Sequence, residues 1–177
     1  MNPISTPSTQ PWTGFLERVG VPAYVSDANW DLRDSNDMFD EIFEAGHRPR
    51  NIMEWALLDP VAKTYLGDWA QVWAPPMAAQ LRLAISQRPQ DPQLGELGER
   101  VARDPLAGPI YQGVDPADPG LPDGACRPLW HAARQQYVVA AISVAELYTP
   151  PGARLVFVIV PRPAGSPPAG ERRPFDV

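Results

Sequence analysis

Cys126 is the only cysteine in 177 residues. A single thiol closes no intramolecular disulfide and builds no cysteine metal site. Lysine is equally scarce: Lys63 stands alone among 15 basic residues, and the formal net charge is -6. No basic cluster falls on an expected helix, so nothing here attracts a phosphate backbone. Apolar runs are short. None approaches the roughly 18 residues that a membrane helix needs. The start, MNPISTPSTQPW, has neither a basic n-region nor an apolar h-region, so it is not a signal peptide and the cytoplasm is the expected location. Internal repeats are absent. So is any Gly-x-Ser-x-Gly, and no Ser or Cys has a local partner that marks a catalytic triad. No catalytic residue is identifiable from the sequence.

Proline, by contrast, is abundant, with 23 residues unevenly spread. Residues 1–12 and 162–177 are rich in Pro, Gly and small polar types and are expected to be disordered. The domain is expected over 13–161. Within it, GVDPADPGLPDGACR (113–127) has no hydrophobic period and reads as a long loop.

The segment VPAYVSD (21–27) alternates apolar and polar residues, and WDLRDSN returns after a turn. The two read as an antiparallel strand pair. In DMFDEIFEAG the spacing of Met38, Phe39, Ile42 and Phe43 is helical, with Gly46 as the closing residue. Asp59-Pro60 reads as an N-cap with Pro at the first helical position, opening a helix that Gly67 closes, and Asp68 as another cap. Trp69, Trp73, Met77, Leu81 and Ile85 recur at steps of four on one long helix, which Pro75-Pro76 must kink or split. Asp91-Pro92 opens a helix with Leu94, Leu97 and Val101 on one face. Asp104-Pro105 opens a last turn carrying Ile110 and Tyr111. After the loop, RPLWHAARQ, QYVVAAISVAELYTP and ARLVFVIVP are rich in Val, Ile and aromatics and read as a meander of antiparallel strands.

Two strands, then helices, then three strands is the order of a PAS-type domain. The expected fold is α+β: a five-stranded antiparallel sheet covered on one face by an enlarged helical insert, residues 50–111. Three Trp residues fall within RNIMEWALLDPVAKTYLGDWAQVW (50–73), more large apolar surface than a solvent-facing helix carries.

PAYVSDANWDLRDSN (22–36), RNIMEWALLDPVAKTYLGDW (50–69) and MAAQLRLAISQRPQDPQLGELGERVARDP (77–105), with strands following over 128–160, resemble the MmyB-like ligand-binding domain. That domain is the PAS-like half of many helix-turn-helix (Xre-type) bacterial transcription regulators. The resemblance implies a pocket for fatty acids or other small apolar ligands. The family usually carries its helix-turn-helix in front, and 177 residues leave no room for one, so direct DNA binding is not expected. The family's strand region also commonly carries His-Pro-x-x-Gly, which LWHAARQQYVV around His131 matches only loosely.

Core packing is the plain account of any one apolar residue in this insert. As a set, Trp55, Leu58, Trp69, Trp73, Met77, Leu81, Ile85, Tyr111 and Trp130 are the candidate ligand-binding residues, because pockets are mostly apolar and Met adapts to irregular ligands. Arg82, on an otherwise apolar helix, is the candidate carboxylate anchor, with Arg48 and Arg50 as rivals. No cofactor is expected. His47 lies in a turn and His131 on a strand, neither placed for haem. GACRPLW lacks the asparagine that a flavin-linking cysteine motif carries. The carboxylates from Asp27 to Glu41 match no calcium loop. The reading is a small-molecule sensor or accessory regulator with an apolar ligand, as a homodimer or paired with a regulator. The alternatives are a pocket protein turned cyclase or isomerase in secondary metabolism, and a pure interaction protein.

Overall fold

Five antiparallel strands and a run of short helices make up the described residues, 12–117, 124–148 and 150–160, of this computed structural model. The expectations for the two chain ends fall almost wholly outside those residues, as does the middle of the 113–127 loop. The strands are β1 (Ala23–Ser26), β2 (Leu32–Ser35), β3 (Cys126–His131), β4 (Gln136–Glu146) and β5 (Arg154–Ile159). They form one sheet in the order β2-β1-β5-β4-β3, with every neighbouring pair antiparallel. The chain therefore leaves the sheet at one edge, β2, and re-enters at the other, β3. The helices between must cross a face, and this is the PAS-like arrangement.

Before the sheet comes α1 (Thr13–Leu16). After β2 come α2 (Asp37–Asp40), α3 (Ile52–Leu58), α4 (Ala62–Tyr65), α5 (Ala74–Gln87), α6 (Pro92–Arg103) and α7 (Ala107–Gly113). Asn36 starts this run. Its buried side chain accepts from the Ala23 and Phe39 amides at 3.0 Å, so it caps α2 and holds β1. It also donates to the Val21 and Leu16 carbonyls at 2.8 and 3.2 Å, which ties down the N-terminal segment.

Three local expectations give way to tertiary contacts. First, α2 stops at Asp40, well short of Gly46, because the amides of Ala133 and Ala132 take the Glu41 and Ile42 carbonyls. Second, Asp59 does not cap α4; it accepts only the Val61 amide, at 2.7 Å. That helix ends at Leu66, which bridges to Leu129 while the Gly67 amide bonds the Pro128 carbonyl at 3.0 Å. Gly67 is obligatory there, since a Cβ would lie 2.8 Å from the Pro128 ring. Third, Asp68 is left-handed, with φ 54°, and its side chain caps nothing.

The expected kink takes a definite form. Trp69–Trp73 is a π-turn in which the Ala74 amide reaches back five residues to the Trp69 carbonyl. Pro75 and Pro76 have no amide to give, and their rings crowd the carbonyls four residues back. Widening the turn relieves that crowding. By contrast, Asp91 and Asp104 cap as their sequences promise. Asp91 accepts from the Gln93 and Leu94 amides, and Asp104 from Leu106 and Ala107.

The main core lies between the inner sheet face and the helices. On the outer face, Leu16 packs with Ala23, Val25 and Leu155, flanked by Trp12, Val19 and Phe157.

Candidate ligand cavity

Strand alternation puts Tyr24 of β1, Val156 and Val158 of β5, Ile142 and Val144 of β4, and Leu129 of β3 on the helix-facing side. Opposite them stand Ile52, Trp55 and Ala56 of α3, Trp73 of the π-turn, and Met77 and Ala84 of α5. Phe39, Ile42 and Phe43 close one end. The space between is a cavity of about 410 Å³, within the range of small-ligand sites. Gln80, Leu83 and Gln87, all exposed, line it from α5, and Val144, 40 % exposed, lines it from β4.

The aromatic wall is continuous. Tyr24 lies 4.6 Å from Phe39, Phe39 is 5.2 Å from Phe43, and Phe43 is 5.4 Å from Trp55 in an edge-to-face contact. Such geometries suit the ring quadrupoles and hold the wall rigid. Trp73 is oriented by its indole N–H, which donates to the Pro128 carbonyl at 3.0 Å.

Trp30, also on the wall, is buried at φ 65°. A bulky residue pays strain to sit there. The surrounding turn over-determines it. Asp27 accepts the Asn29 and Asp31 amides at 2.9 Å, and the Trp30 carbonyl accepts from Ile52 at 3.0 Å. Arg88, at the C-cap of α5, then clasps the turn through the Asn29 side chain at 2.6 Å and the Ala28 carbonyl at 2.8 Å.

The cavity's charge is positive. Arg127 of β3 and Arg154 of β5 both line it, and neither has a carboxylate within 4.0 Å among the described residues. Arg127 lies 4.8 Å over the Trp73 ring and Arg154 lies 4.6 Å over Trp30. Burial pulls both guanidinium pKa values down, for Arg154 with help from Arg88. A desolvated cation over an indole gains roughly 2 kcal/mol, which offsets only part of the cost of burying an unpaired charge. Burial pushes the Tyr24 hydroxyl's pKa far up, against the opposing pull of Arg154.

The sequence-derived candidates separate. Trp55, Trp73 and Met77 are on the wall. Leu58 packs against the core at the end of α3. The Trp69 indole donates to the Ala56 carbonyl at 2.7 Å and lies under the Lys63 ammonium at 4.9 Å. Leu81 is fully buried in the core, and Ile85 fills the space beside Gly98, where the Tyr111 hydroxyl also reaches. Trp130 packs at the margin of the core, off the cavity wall and edge-on to Tyr137 at 5.4 Å. Arg82 is away from the cavity: it donates to the Tyr111, Gln112 and Val114 carbonyls, the unpaired acceptors at the end of α7. Arg48 pairs with Asp40 at 3.2 Å, and neither it nor Arg50 lines the cavity.

The residues missed are Arg127, Arg154, Tyr24 and Trp30. Arg127 stands at the overlap of the 113–127 loop and the strand segment RPLWHAARQ, and it is not among the ligand candidates. The alternation in Arg127-Pro128-Leu129-Trp130 was the available signal, since it puts Arg127 on the face of Leu129 and opposite Trp130. Among the described residues no group of three or more His, Cys, Asp or Glu is placed to hold a metal, and no helix is long and apolar enough to cross a membrane.

An antiparallel sheet under crossing helices, with a cavity between, defines a PAS-like ligand-binding domain. The model of the MmyB-like transcription regulator ligand binding domain matches residues 10–117, and the chain belongs to that family. It is a ligand-sensing module of the kind transcription regulators carry. No curated protein matches the chain. The strands that carry Arg127 and Arg154 follow the matched span.

Proposed function

We propose that the protein is a sensor or accessory regulator, with residues 13–161 as its PAS-like domain. Its cavity takes a small, largely apolar molecule of fatty-acid-like or polyketide-like character. The observation that carries this reading is the cavity of about 410 Å³ walled by Trp30, Trp55, Trp73, Phe39 and Phe43. Burying apolar ligand surface there gains about 25 cal/mol per Å² before binding costs. Three wall tryptophans make fluorescence a direct reporter. Titration with a fatty-acid series is expected to give a saturable change, weakened in Trp55→Ala. Native mass spectrometry of the purified protein is expected to show a co-purified apolar ligand. No saturable response to any member, with no bound mass, rejects the reading.

A further inference from the structure

Of the two arginines on the cavity wall, Arg127 has donors that nothing among the described residues takes up. Arg82 is spent on the end of α7. Arg154 donates to the Asp27 and Ala28 carbonyls, at 3.3 and 3.5 Å, and so helps hold the Trp30 turn. Arg127 is only 8 % exposed, and its Nε is buried without a partner. Its cationic head stands on the cavity wall, stacked on Trp73. The stack is rigid because the Trp73 indole is bonded to Pro128, the residue next to Arg127 on β3. A guanidinium with one face on an indole keeps its N–H edge free, and that edge matches the two oxygens of a carboxylate. Beside it the wall is apolar, with Leu129 on the same strand and Ile142 on the next.

We infer that Arg127 reads the ligand's charge, and that the cavity selects an acidic amphiphile: an apolar body whose carboxylate pairs with Arg127 over Trp73. This rests on the cavity being a ligand site and adds the residue that selects the ligand's head group and the charge it requires. Arg127 lies on a strand outside residues 10–117, so the family match does not assign it.

The test is calorimetric titration of the full chain at neutral pH with dodecanoate, methyl dodecanoate and dodecanol, which share one apolar body. A charge-assisted pair in a desolvated site predicts that dodecanoate binds the native protein at least about tenfold tighter than its ester. Arg127→Met, checked for a cooperative melt, is expected to bring the acid down to the ester's affinity and leave the ester's unchanged. Arg127→Lys, which keeps the charge but loses the planar fork, is expected to fall between. Arg154→Met is expected to keep the preference. Equal binding of acid and ester by the native protein overturns the inference and leaves the apolar-cavity reading standing. So does an undiminished preference in Arg127→Met. Failure of all three probes to bind overturns both.

Discussion

Asn36 shows how much one side chain can carry. It is 4 % exposed, and its amide serves two backbone N–H groups and two well-placed backbone carbonyls. Asn36→Ala leaves those groups buried and unpaired, at about 1–3 kcal/mol apiece where water cannot replace the bond. Urea unfolding is expected to show a loss of at least about 2 kcal/mol, whereas an exposed Asn→Ala change costs little. His131 is the second instructive residue. It is buried, its Nδ1 has no partner, and burial with the charge of Arg134 holds its pKa below 6.5 against the opposing pull of Glu41. The neutral form is therefore the folded form. Above pH 6.5 both states are neutral and stability does not depend on this group; as pH falls below 6.5 the unfolded chain takes up the proton first, and stability drops until the folded pKa is passed. Urea midpoints measured between about pH 5 and 7.5 are expected to fall on the acid side, with a shallower slope in His131→Gln.

At the scale of elements, the helices divide by what terminates them. α6 runs as its sequence reads, because Asp91 supplies both cap bonds locally. The Asp91 carboxyl is held below its usual range: burial acts to raise it, but hydrogen bonds from Asn29, Leu94 and Gln93 and the charge of Arg88 outweigh that. α2 and α4 end where other segments take their backbone groups, and α5 begins where two prolines force a π-turn. The junction of α6 and α7 depends on space as well as on the Asp104 cap. A Cβ on Gly108 would lie 2.6 Å from the Ala102 carbonyl oxygen, which is backbone and cannot rotate away. Gly108→Ala is expected to cost about 1–3 kcal/mol as overpacking. Because α7 also packs on α5, the change should loosen the Arg82 contacts; a thermal melt alongside Arg82→Ala would show smaller than additive losses if the two share one junction.

For the whole molecule, the two sheet faces are covered unequally. The inner face is roofed by the helices. The outer face is covered at β1 and β5 by the N-terminal segment, while Val139 and Ile159 remain 55 % and 41 % exposed. Deleting residues 1–19 removes Leu16 from Ala23, Val25 and Leu155 and strips Asn36 of an acceptor, the Leu16 carbonyl. The shortened chain is expected to melt lower and to associate in size-exclusion chromatography, since a bare apolar sheet face seeks another surface.

Periodicity and capping are local, so the sequence alone determined the order of elements, the meander of three strands, the Asp91 and Asp104 caps and the break at Pro75-Pro76. The resemblance carried by residues 22–36, 50–69 and 77–105 marked the family. Which of Trp55, Trp69 and Trp73 reach the cavity was decided only in three dimensions. Each step of four residues along α5 overshoots a full turn by about 40°, so Leu81 and Ile85 have rotated off the face that Met77, Gln80, Ala84 and Gln87 present to the cavity. The placing of the charges was decided there too. Arg82 looks free along its own helix, but α7 ends beside it and consumes its donors. Arg127 belongs to both the loop and the strand segment as read along the chain, and pairing with Ala140 of β4 fixes it as strand and turns it inward, against an indole contributed from 54 positions earlier in the chain.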